Sequence, residues 1–85
     1  MVYIDSNKNN RFFREFSELT KSEDLKWHTD EFDREIYSLS ETDWKIQLDN
    51  ELPILLNSKI NIPANTWHRL IKGTGKLNLE IKETR

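Results

Sequence analysis

The sequence contains no cysteine, which excludes disulfides and thiolate metal sites and fits a reducing compartment. Glycine and proline are scarce, with two of each. Both glycines fall in Gly73-Thr74-Gly75. That segment lacks the spacing of a phosphate-binding loop and no helical pattern follows it, so it reads as a hairpin loop. No apolar run approaches the length of a membrane span, and no leader-like segment stands out. A soluble, cytoplasmic protein is expected. No excess of one charge exists either: 13 basic and 15 acidic residues are interspersed, for a net charge of −2. Without a basic stripe, nucleic-acid binding is not expected. With no cysteine, and with serines in turn-like or strand-like contexts, nothing supports covalent hydrolase chemistry.

What the chain does have is aromatic residues and short alternating segments. Its 85 residues, read as one domain over 1–85, include three Trp, four Phe and two Tyr. A chain of this size buries only about 60–65% of its unfolded surface, so large rings carry much of the core. Oligomerisation or a bound metal would add stability. Trp44-Lys45-Ile46-Gln47-Leu48, Lys59-Ile60-Asn61-Ile62 and Leu77-Asn78-Leu79-Glu80-Ile81-Lys82 alternate apolar and polar residues, as half-buried strands do. Leu25–His28, Glu35–Leu39, Ile54–Leu56 and Trp67–Lys72 read as further strands. Val2–Ile4 is a short strand candidate, Asp5–Asn10 reads as a polar loop or flexible arm, and residues 1–10 as a flexible or dimer-swapping arm. Arg11–Leu19 fits a helix by Phe12, Phe16 and Leu19, or a strand by Phe12, Arg14 and Phe16; its β-rich surroundings favour the strand. Many short strands with regular turn signals indicate an all-β sandwich or barrel.

The centre of the pattern is Ile62-Pro63-Ala64-Asn65-Thr66-Trp67-His68. A strand ends at Pro63, which donates no hydrogen bond. Asn65 tolerates a left-handed backbone at the turn, and His68 opens the next strand. The other histidine, His28, also follows a Trp. In an extended chain residues two apart share a face, so His28 and Asp30 project together. On the same rule Trp27, Trp67, Arg69 and Ile71 face away from the histidines. That outer patch needs cover, from the Phe12–Phe16 segment or from a second subunit.

These segments resemble the two halves of the cupin signature. The first half, a His-x-His followed by a glutamate, is matched by His28-Thr29-Asp30 and Glu35. The second half is matched by Pro63-Ala64-Asn65-Thr66-Trp67-His68. Together they cover roughly Ser22 to Lys72. Asp30 stands in place of a histidine, Lys72 in place of an asparagine, and Ser22, Thr42, Asn57 and Asn65 in place of glycines. The chain is similar to compact single-domain cupins of bacteria and tailed phages, and would act in the host cytoplasm if phage-encoded. The resemblance implies an all-β fold, a cupin-type small β-barrel or jelly-roll-like sandwich. It implies a divalent transition metal, Fe, Mn, Ni or Zn, held by His28, Asp30, Glu35 and His68. Asp30 has an equal alternative as a turn cap, and Glu35 as a salt-bridge partner of Arg34 or Arg69. Arg34, which otherwise forms a solvated pair with Asp33, and Tyr37, otherwise a core residue, are the candidate substrate-binding side chains. A homodimer is expected, with the N-terminal residues contributing. Three functions stay open: a metal-dependent oxygenase, isomerase or lyase acting on a small polar molecule; a metal-bound binding module; and a metal-free interaction protein with a degenerate site.

Overall fold

The computed structural model describes residues 3–8 and 10–84, the first of these segments by its backbone. Eight strands follow in order: β1 (Tyr3–Lys8), β2 (Arg11–Phe16), β3 (Asp33–Ser38), β4 (Lys45–Leu48), β5 (Ile54–Leu55), β6 (Ile60–Ile62), β7 (His68–Ile71) and β8 (Leu77–Thr84). They form a five-stranded sheet in the order β1-β2-β8-β3-β6 and a three-stranded sheet in the order β5-β4-β7. Every pairing is antiparallel. The molecule is an all-β sandwich of jelly-roll type, with one core between the two sheets.

The alternating segments supply that core. Trp44, Ile46 and Leu48 point inward from β4 and its approach; Leu77, Leu79 and Ile81 do so from β8. Phe16, Ile36, Leu56, Ile60 and Ile62 complete the cluster. Trp44 is fully buried, packs its ring 5.9 Å from that of Phe16, and donates its indole N–H to the Gly75 carbonyl. A buried indole needs such an acceptor, because an unpaired N–H away from water is costly.

Four segments differ from expectation. Where a polar loop was expected from Asp5, residues 3–8 are an edge strand paired with β2 of the same chain, with Asn10 turning at φ 64°. An edge strand can be polar on both faces, since its backbone makes the ladder. Arg11–Phe16 is a strand, but it sits beside β8 in the large sheet and does not cover the Trp27–Trp67 patch. Leu25–His28 is not a strand: a 3-10 turn at Ser22–Asp24 precedes it, and His28 alone makes a bridge.

Gly73–Gly75 is likewise not a hairpin, because it joins β7 of one sheet to β8 of the other. Asp43 organises this corner. Its carboxylate accepts from the Thr74 N–H at 2.8 Å and from the Thr74 hydroxyl at 3.0 Å. The Thr74 N–H bond, then the hydroxyl bond, hold the Asp43 carboxyl below its ordinary value. A Cβ at Gly73 would collide with that carboxylate and lie 2.7 Å from the Trp44 nitrogen.

Candidate metal centre

His28 and His68 meet because their backbones pair directly. The His28 N–H donates to the His68 carbonyl at 3.0 Å, and the His68 N–H donates back at 2.9 Å. Residues opposed in this way share a sheet face. Their ring centroids stand 4.3 Å apart. The turn between β6 and β7 fixes His68: Asn65 sits at φ 60°, and the Thr66 N–H closes onto the Pro63 carbonyl. That turn is tied to the 30–33 loop by the Asn65 N–H on the Asp30 carbonyl, at 2.8 Å. The Ala64 N–H on the Asp33 carboxylate, at 2.7 Å, is a second tie. Asp33 therefore caps the turn and is not a solvated partner of Arg34, while the Asp30 side chain stays available to the site.

Each imidazole is oriented by the carbonyl two residues before it. His28 Nδ1 lies 2.9 Å from the Lys26 carbonyl, and His68 Nδ1 lies 2.8 Å from the Thr66 carbonyl. A carbonyl only accepts, so Nδ1 carries the proton in both rings and Nε2 is the atom each ring has left to offer a metal. Nε2 of His68 is 3.0 Å from Oδ2 of Asp30. That oxygen is buried without a directed hydrogen bond. A lone pair facing a carboxylate oxygen at this distance calls for a cation beside them: Arg34 Nη1, 3.4 Å from the same oxygen, is one, and a proton or a metal between the two atoms would be another.

The fit to a metal is good. Ligand atoms of His28, Asp30 and His68 all lie within 4.8 Å of one another. Bonds of about 2.0–2.2 Å to N and O ligands at right angles separate neighbouring donors by about 3 Å, as Asp30 and His68 already are. Burial alone would push the Asp30 carboxyl up. The adjoining His68 imidazole and the nearby Arg34 charge outweigh it and hold the group below its ordinary value, so the carboxylate is ionised.

Of the expected residues, His28, Asp30 and His68 come together and Glu35 and Tyr37 do not. Arg34 and Ile36 line the interior cavity, and alternation turns Glu35 and Tyr37 to the outer face of the large sheet. There Glu35 lies 3.7 Å from Lys59, whose ammonium sits 5.6 Å from the Tyr37 ring centroid. Neither Glu35 as a ligand nor Tyr37 as a substrate contact survives this placement. Arg34 faces inward, but its Nε and Nη2 donate to Glu83 at 2.9 and 2.6 Å, and Nη1 is 3.4 Å from Asp30. Both of these contacts hold the guanidinium against carboxylates of the same chain. Glu83 went unrecognised in the sequence. Its signal was a charge ending the inward row Leu77, Leu79, Ile81 and Glu83.

The site opens into a cavity of about 300 Å³ between the sheets. Its floor is Ile36, Ile46, Ile62, Leu70, Leu79 and Ile81, and Arg14, Lys26 and Asp24 also line it.

The architecture has solved counterparts. KdgF from Halomonas sp. superposes with TM-score 0.68 at 13% identity over 98% of this chain and 79% of its own. A cupin domain from Bordetella pertussis does so with TM-score 0.62 at 12% identity, covering 99% of this chain and 93% of its own. The chain has the cupin fold. A cupin-2 domain protein from Shewanella frigidimarina agrees, with TM-score 0.60 at 16% identity over 94% of this chain and 76% of its own. HppE, solved with Fe(II) and, in complex with substrate, with Co(II), matches at TM-scores of 0.65 and 0.66 and identities of 12% and 16%. Those matches cover 87% and 98% of this chain, which spans 41% and 51% of the HppE chains. At these identities the likeness is one of fold. No family model matches the sequence, and no curated protein does.

Proposed function

We propose that this cupin-fold protein holds one divalent transition metal on His28, Asp30 and His68 and binds or converts a small polar molecule in the adjoining cavity. The observation that carries the reading is the buried Asp30 oxygen set against His68 Nε2 while both rings commit Nδ1 to carbonyls. Two imidazoles and one carboxylate are the donor set of a facial triad, which leaves further positions for water or substrate. Fe(II) leads the candidates, with Mn, Ni and Zn behind it, and the Fe(II) and Co(II) forms of HppE support that order. A metal in this place would supply Lewis acidity toward a substrate oxygen. The chain's own residues do the rest: the two carbonyls aim the rings, Arg34 keeps Asp30 ionised, and the apolar floor excludes water.

Elemental analysis of protein purified without chelator is the test. One metal per chain is expected, and little in His28→Ala plus His68→Ala. Equal content in the two proteins would refute the assignment.

We also propose a homodimer through the outer face of the small sheet. Trp27 and Trp67 are 39% and 53% exposed there, and the Arg69 guanidinium lies 4.8 Å from the Trp27 ring centroid. Leu55 is also exposed on this sheet. So apolar a patch on so small a molecule calls for a second copy.

A further inference from the structure

Arg34 reaches the candidate ligands through strand register. On β3 it is paired with Glu83 of β8 on one side and with Ile62 of β6 on the other, and its side chain enters the interior beside Asp30. Nε and Nη2 both donate to one oxygen of Glu83, and the Phe12 ring centroid lies 5.9 Å from the guanidinium carbon. Nη1 stands on the Asp30 side, 3.4 Å from Oδ2. That same oxygen faces His68 Nε2. The side chains of Arg34, Glu83 and Asp30 are all largely buried, so salt and water screen their charges weakly.

The two contacts of the guanidinium differ in kind. Glu83 takes two charge-assisted hydrogen bonds at normal length, which anchor the group. The Asp30 contact is a longer one between charges. Arg34 therefore stays in place when Asp30 turns to another cation. A fixed cation on an oxygen that a metal would use has two opposed effects. It compensates the Asp30 carboxylate while the site is empty, where a buried lone charge would be costly. It also opposes a second cation on the same oxygen. Even at the dielectric of bulk water, a unit charge within about 5 Å of a divalent ion changes the binding of that ion roughly tenfold. A guanidinium cannot escape this by losing its proton.

We propose that Arg34 sets the metal affinity of the site: it is the counter-cation of Asp30 in the empty protein and competes with the metal for that carboxylate. The inference rests on reading His28, Asp30 and His68 as the ligands. Arg34 acts through Asp30 and is a positioning residue, and Glu83 limits the competition by drawing the guanidinium toward β8.

The test is Zn(II) binding measured by competition with a fluorescent chelator, together with thermal unfolding of the metal-free proteins. Arg34→Gln should bind about tenfold tighter than the wild type, and its metal-free form should melt at a lower temperature. A role limited to packing, or to aiming Asp30, would weaken binding instead. Arg34→Lys keeps the charge and should stay within about threefold of the wild type. Arg34→Gln combined with Glu83→Gln should still bind tighter than the wild type, although Glu83→Gln alone weakens binding. Equal or weaker binding by Arg34→Gln overturns the proposal, as does Arg34→Lys binding as tightly as Arg34→Gln. Should Arg34→Gln fail to fold, the double variant decides, because it leaves two neutral amides able to bond to each other: tighter binding supports the proposal, and equal or weaker binding overturns it. Wild-type binding without any tightening in the variants removes Arg34 from the account and leaves the metal reading intact. Absence of binding in every protein refutes the metal reading and the proposal with it.

Discussion

Asp30 is held ionised by neighbours that include a permanent cation, and this gives the site a pH signature. Its folded carboxyl lies below the free value of 3.8. A depressed folded value contributes stability that is fully present above the unfolded value and lost as pH falls through the folded one. Metal-stripped protein should therefore lose stability below about pH 4. Asp30→Asn should lack this part of the acid loss in chemical denaturation at stepped pH. Glu83 acts one residue further out, through Arg34. Glu83→Gln should weaken metal affinity roughly tenfold, the usual cost of disturbing a ligand's orienting partner, while leaving the stoichiometry intact. Competition with a fluorescent chelator would measure this, and an unchanged affinity would show that Arg34 holds Asp30 without help.

Turns and strand registers decide how the sequence's departures from the cupin pattern are tolerated. Asn65 takes the left-handed conformation a glycine would. Asn57 does not, and stays in place by a different route. Its amide donates to the Thr42 carbonyl and accepts from the Thr42 N–H, both at 3.0 Å. Two of the replaced glycines thus became one staple between neighbouring turns. Asn57→Ala should cost about 1–3 kcal/mol in urea denaturation, and a change within a few tenths would deny the staple any weight. Strands with one buried face, β4 and β8, were legible because alternation records burial. The β1 strand was not, because Tyr3–Lys8 pairs at an edge where polar residues suffice. Parity across the 28–36 stretch held the information that Glu35 faces away: His28, Asp30, Arg34 and Ile36 share the inner side. The signature match drew Glu35 in against that parity. Direct pairing of His28 with His68 depends on a register between segments forty positions apart, which no local pattern encodes.

A domain of this size has little stability to spare, so ligands and partners should register strongly on the whole molecule. A metal at a hundred times its dissociation constant adds about 2.7 kcal/mol, or roughly 10–20 °C in Tm for so short a chain. Calorimetry with and without added metal checks this, and an unshifted Tm would mean the ion does not favour the native state. The outer tryptophan face belongs to this scale too. Trp67→Ser should shift sedimentation equilibrium from dimer toward monomer without lowering metal content; a wild-type monomer at high concentration would remove the second copy from the account. No helix among the described residues is long and apolar enough to cross a membrane. Cobalt titration of metal-stripped protein, followed in the visible, reaches the central claim most directly. Saturation at one equivalent with bands distinct from the hydrated ion, absent in His68→Ala, is the predicted result. A spectrum that remains that of free cobalt at every ratio would contradict the metal centre.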